Sequence, residues 1–136
     1  MALTTNRDET MSHRILVVDD DILVLEALQE LLTSSGYEVR VATRGQEALE
    51  MLDQQEFDLL ILDVVMPKMT GLDVCKEVRK RGDEMSKVKI ILLTAKTEPK
   101  DVKVKEKYGC DLYLTKPIDA GKLKELIRDT LEGSIE

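Results

Sequence analysis

The sequence has no tryptophan, one phenylalanine and three tyrosines, so aromatic residues fill only 3% of its 136 positions. That removes the stacking platforms on which single-stranded nucleic acids and sugars rest. Cysteine is nearly absent too: Cys75 and Cys110 stand far apart, in no paired motif. They read as reduced, core-filling thiols of a cytoplasmic protein, not as a disulfide or a zinc site. No apolar run approaches the roughly 20 residues that a bilayer helix needs. No charged start followed by an apolar stretch argues for secretion. Basic charge is the minority, with Lys+Arg at 20 against Asp+Glu at 27 and a net charge of −7. Phosphate repulsion makes such a domain a poor nucleic-acid binder on its own. What remains is 43% hydrophobic and 35% charged, a composition for one folded domain and not for a disordered acidic tail.

Residues 1–12 are polar and without periodicity, which reads as a flexible leader. Beyond them two kinds of segment alternate. Ile15-Leu16-Val17-Val18, Leu59-Leu60-Ile61-Leu62 and Ile90-Ile91-Leu92-Leu93 are short and apolar throughout. Strands of that kind are covered on both faces, as in a parallel sheet. Weaker strands are expected at Glu38–Ala42 and Asp111–Thr115. The other segments carry helical periodicity: Leu25, Leu28, Leu31 and Leu32; Ala48, Leu49 and Leu52; Leu72, Cys75 and Val78; and Leu123, Leu126, Ile127, Thr130 and Leu131. Thr43 with Gln46 has capping-box spacing, Thr70 and Asp119 suit N-caps, and Gly36 suits a helix end. The expected fold is therefore α/β: an open, doubly wound sheet of five parallel strands with helices on both faces.

Ligands of such a sheet gather at the C-terminal strand edge. Asp19, Asp20 and Asp21 follow the first strand, Asp63 the third, Thr94-Ala95 the fourth and Lys116-Pro117 the fifth. Crowded carboxylates cannot all stay ionised unaided. Mg²⁺ resolves this, because it takes oxygen ligands and keeps waters that a phosphoryl group can replace. An acidic triplet alone is equally at home at a helix N-terminus, where it complements the dipole; four strand ends converging carry more weight.

The run Ile15-Leu16-Val17-Val18-Asp19-Asp20-Asp21, then Asp63-Val64-Val65-Met66-Pro67 with Gly71, then Thr94-Ala95, then Tyr113-Leu114-Thr115-Lys116-Pro117, resembles the receiver domain of two-component response regulators. The resemblance covers nearly the whole chain, with 13–132 as the receiver domain and 133–136 as a tail. It implies a flavodoxin-like strand order 2-1-3-4-5. It implies that Asp63 accepts a phosphoryl group from a histidine kinase or phosphotransfer protein. Asp20, Asp63 and the backbone carbonyl of Val65 would ligate Mg²⁺, and Asp19 would hold the metal's waters. Thr94 and Lys116 would bind phosphoryl oxygens, and Asp21 would serve only as a helix cap. Lys116-Pro117 would be a cis bond that aims Lys116 inward, the X-Pro bond being the kind where cis is cheap. The implied protein is cytoplasmic and is a signalling switch that catalyses its own phosphorylation and dephosphorylation, not an enzyme acting on a metabolite.

The resemblance also pairs Thr94 with Tyr113 as a conformational switch. The hydroxyl moves to the phosphoryl group and the tyrosine turns inward. That alters the surface made by a helix near Glu98–Tyr108, the fifth strand and the last helix, where an output partner docks. It allows a homodimer on phosphorylation and implies neither a nucleic-acid nor a membrane partner for this domain. The Glu98–Tyr108 helix is expected to be short or mobile, because Val102 and Val104 are at strand spacing. Lys96 to Lys107 holds five lysines and three acids, a solvated face or a docking surface for an acidic partner. Val65 and Lys96, each two residues past a site residue, would flank the path of attacking water. Neither accepts that water's proton, so a long-lived phosphoryl group is expected. His13 is expected to be exposed and inert. Met66, Met69 and Met85 are expected to pack or face solvent rather than bind a ligand.

Three rivals compete. A phosphatase of the haloacid dehalogenase type would use Asp19 as nucleophile with Asp21, but the chain is short and lacks a cap region. A flavodoxin-like electron carrier needs a phosphate loop after the first strand, where three aspartates would repel a flavin phosphate. A receiver that has lost phosphorylation would lack one of the site residues, and all are filled. The chain is read as either a stand-alone receiver or the front of a longer protein.

Overall fold

The structure is a computed structural model that describes residues 13–82, 87–94, 109–116 and 119–132. The strands are β1 (Arg14–Val18), β2 (Glu38–Ala42), β3 (Leu59–Asp63), β4 (Lys89–Thr94) and β5 (Leu112–Thr115). The described helices are α1 (Ile22–Ser34), α2 (Gly45–Gln54), α3 (Gly71–Lys80) and α4 (Ala120–Glu132). All pairings are parallel, in the order β2-β1-β3-β4-β5. This is the doubly wound sheet that the alternating pattern implies.

Two apolar layers sandwich the sheet. One face joins Leu16, Val18, Leu60, Leu62, Ile90 and Leu92 to α2 and α3. The other joins Ile15, Val17, Leu59, Ile61, Ile91 and Leu93 to α1 and α4. Adjacent residues of one strand thus feed opposite layers, which is why these strands read as unbroken apolar runs. Cys75 and Cys110 are both buried free thiols in the first layer. Met66 is buried there as well, and Met69 packs against it.

Helix boundaries follow local chemistry. The Asp21 carboxylate accepts from Leu23 N–H at 3.0 Å and caps α1. Thr70 and Asp73 form a reciprocal capping box at α3, and Asp119 Oδ2 accepts from Lys122 N–H at 2.9 Å at the start of α4. After α1, Gly36 takes φ +100° while Tyr37 N–H donates to Leu32 O at 3.1 Å, the glycine-dependent helix end expected there. One expectation is corrected. Thr43 is not an N-cap paired with Gln46: Arg44 is the N-cap of α2, with no side-chain cap bond. Glu47 instead accepts from Thr43 N–H at 3.0 Å. The side chain that reaches back is Glu47, three places past the true cap, and it meets the N–H of the residue before that cap, the helix start lying one residue later than the Thr43–Gln46 spacing suggests. The helix expected near Glu98–Tyr108, its lysines, Ala95, Lys96, Met85, Pro117 and residues 1–12 and 133–136 lie outside the described residues.

Candidate functional site

The parallel sheet brings the ends of β1, β3, β4 and β5 to one edge. Asp19 extends β1, its N–H donating to Ala42 O at 3.2 Å, and is 2% exposed. Asp63 ends β3, paired with Leu93, and is 7% exposed. Asp20 stands beside them at the surface, and carboxylate oxygens of Asp19, Asp20 and Asp63 lie within 4.8 Å of one another. Lys116 follows β5, placed by its N–H donating to Thr94 O at 2.6 Å. Its Nζ donates to Asp19 Oδ2 at 2.9 Å and lies 3.6 Å from Asp63 Oδ1. Asp19 Oδ1 also accepts from Asp21 N–H at 2.9 Å. Both oxygens of Asp19 are therefore engaged, and Asp63 meets the same ammonium and the Val65 N–H.

The electrostatics follow this packing. Burial raises the Asp63 carboxyl above its usual range, and the Asp19 charge adds to the rise. The Lys116 ammonium and the Val65 N–H pull the other way, with Asp20 again raising it. Burial alone would lower the Lys116 ammonium, but its hydrogen bond to Asp19 and the charges of Asp19 and Asp63 hold it above its ordinary value. Three carboxylates facing one ammonium leave an excess of negative charge in a half-dry pocket, and a hard cation with oxygen ligands fits such a donor set.

The loop after β3 shapes the mouth. Lys68 takes φ +71°, and Met69 N–H donates to Pro67 O at 2.7 Å across it, a tight turn strained for a residue with a side chain. Gly71 N–H donates to Val64 O at 2.9 Å. A Cβ on Gly71 would overlap the Asp63 carbonyl oxygen and sit 3.0 Å from its carbonyl carbon. Only glycine lets α3 start so close to the acidic strand end. Around the rim, Ile22, Leu23 and Val65 are the exposed large hydrophobics among the described residues, at 53%, 74% and 60%.

The structure thus brings together Asp19, Asp20, Asp63 and Lys116 and places Asp21 as a cap, as read from the sequence. Thr94 is buried at the end of β4, 1% exposed, and Tyr113 lies half-buried against the first layer. His13 is exposed, its ring 6.4 Å from that of Tyr37 and remote from the pocket. Sequence reasoning singled out no role for Thr115, whose neighbours depend on strand register and not on spacing.

Comparison with known proteins agrees with the geometry. The family model for the response regulator receiver domain matches residues 15–128, and the chain belongs to that family. It is 42% identical over 121 residues to the response regulator MprA of Mycobacterium ulcerans, an alignment covering 89% of this chain and 51% of that protein. The chain spans about half the length of the curated relatives it matches. Among solved structures, a CheY-like receiver domain protein from Methanospirillum hungatei superposes with TM-score 0.82 at 29% identity, covering 90% of this chain and 95% of that one. The response regulator TrrA of Thermotoga maritima, solved in complex with Mg²⁺ and BeF, gives TM-score 0.77 at 38% identity, covering 87% and 98%. The chain is accordingly a receiver domain of two-component signal transduction. No described helix is long and apolar enough to cross a membrane.

Proposed function

We propose that this receiver is an aspartyl-phosphate switch, with Asp63 as acceptor. One observation carries the reading: Lys116 Nζ bridges Asp19 and Asp63 inside a cluster of three carboxylates. An oxygen of Asp63 attacks the phosphorus of a phosphohistidine on a kinase or phosphotransfer protein. The P–N bond breaks, the imidazole nitrogen keeps the electron pair and takes up a proton, and an acyl phosphate forms. Such a transfer needs alignment and charge stabilisation more than covalent help. Lys116 offsets charge on the phosphoryl oxygens, and Thr94 offers a hydroxyl to another. Asp20, Asp63 and the Val65 carbonyl would hold Mg²⁺, with Asp19 on its waters; when bound, the ion supplies the positive charge that this pocket lacks.

The phosphoryl group adds about −1.5 to −2 charges. Thr94 and Tyr113 answer that change, and the surface around β5 and α4 carries it to an output partner. The apolar rim of Ile22, Leu23 and Val65 supports docking of the donor, because burying it removes water from the reacting atoms. Val65 offers attacking water no side-chain hydrogen bond, which supports a slow loss of the phosphoryl group.

Mass spectrometry after treatment with acetyl phosphate and Mg²⁺ tests the reading. One phosphoryl gained, and lost in Asp63→Asn, is the expected result. A label trapped on the peptide containing Asp19 would overturn it in favour of a phosphatase-like nucleophile.

A further inference from the structure

Three hydroxyl side chains share one face of the β4–β5 pair. Thr94 and Thr115 are direct register partners, so their side chains leave the sheet on the same side. Tyr113 lies two residues before Thr115 on the same strand, hence on that side again, and packs against the layer that holds Leu92. Lys116, the next residue, is tied to Thr94 O. Within this group Thr115 Oγ1 is the odd member: among the described residues it is the buried side-chain polar atom that has no hydrogen-bond partner. A buried hydroxyl left unpaired is costly, and any state that gives it a partner is favoured by the difference.

We propose that Thr115 is a positioning residue of the switch, whose hydroxyl receives the Tyr113 hydroxyl when the tyrosine turns inward. This rests on the Thr94–Tyr113 reading above and adds the contact that holds the inward state. Two residues of a parallel strand span about 6.6 Å, which a tyrosine laid along β5 can bridge. The space for it opens as Thr94 turns toward the phosphoryl group. The unpaired hydroxyl destabilises the resting state, and pairing stabilises the phosphorylated one. Both terms act in the same direction on a two-state equilibrium.

The test uses the full chain and beryllofluoride with Mg²⁺ as the phosphoryl probe. Thr115→Val removes the hydroxyl at nearly constant shape. It is expected to weaken beryllofluoride binding about five- to tenfold while leaving the midpoint of thermal unfolding without the probe unchanged or higher. Thr115→Ser keeps the hydroxyl and is expected to bind as the parent does. In a Tyr113→Phe background, Thr115→Val is expected to have no further effect on binding, because the partner is already gone. A lower unfolding midpoint with unchanged probe affinity would overturn the proposal, as would additive effects of the two substitutions. If the parent chain itself fails to bind beryllofluoride with Mg²⁺, the acceptor reading fails first. If the parent binds and Thr115→Val binds equally, only the role of Thr115 fails.

Discussion

At the scale of single residues, the site was legible where chemistry coincides with a strand end. Asp19, Asp63, Thr94 and Lys116 each stand one place beyond or at the close of a strand, and the parallel sheet turns that sequence position into proximity. Gly71 is different. Its importance lies in how closely it approaches the Asp63 backbone, and no pattern of letters reports a distance. Its role separates from plain packing by comparison with Gly45, where a Cβ would meet only side chains, Val74 Cγ2 at 2.8 Å and Met69 at 3.0 Å. Both Gly71→Ala and Gly45→Ala are expected to destabilise by about 1–3 kcal/mol through overpacking. Only Gly71→Ala displaces the acceptor, so phosphorylation by acetyl phosphate should slow about tenfold or more in that variant alone. Equal rates in the two variants would assign Gly71 to packing.

At the scale of elements, apolar runs and helical periods located every described strand and helix, while ends moved by a residue. The start of α2 shows why. Thr43 and Arg44 both precede the helix, and the choice between them depends on backbone conformation, not on residue type. A second feature was invisible for a different reason: it joins three distant segments through one side chain. Arg79 on α3 donates to Gly109 O at 2.8 Å, to Val88 O at 2.7 Å and to Asp111 Oδ2 at 3.3 Å. Asp111 Oδ2 in turn accepts from Ile90 N–H at 2.7 Å. Gly109, at φ +78°, leaves room for the Arg79 stem, which a Cβ would meet at 2.9 Å. This guanidinium staples α3 to the start of β4 and to the approach to β5. Arg79→Ala should lower stability in urea denaturation by about 2–3 kcal/mol, because partly buried carbonyls lose charged donors. Arg79→Lys should recover little of it, since a compact ammonium cannot span the acceptors that Nε, Nη1 and Nη2 reach separately.

At the scale of the whole molecule, the two cysteines serve as apolar filler of the core, as their isolation in the sequence suggested. Burial pushes the Cys75 thiol up to about 12, with Cys110 adding to the rise and Arg79 opposing it. The unfolded thiol titrates near its ordinary value of about 8.5. The folded state therefore keeps a proton that the unfolded state loses, so this contribution is complete below the unfolded value and falls away as pH rises toward 12. The expected slope is at most about 1.4 kcal/mol per pH unit. Urea midpoints between about pH 9 and 11 should fall less steeply for Cys75→Ala than for the parent.

The two poles of the sheet are unlike. The carboxylates occupy one, and at the other the His13 ring tilts against Tyr37, whose phenol is raised by burial first and by the nearby Glu132 charge second. His13 and the Glu132 charge thus lie by a single aromatic ring, about 17 Å from the acidic pole along a five-residue strand. A change at Tyr37 therefore leaves the immediate surroundings of Asp63 as they are, and a change at Asp63 leaves this ring as it is.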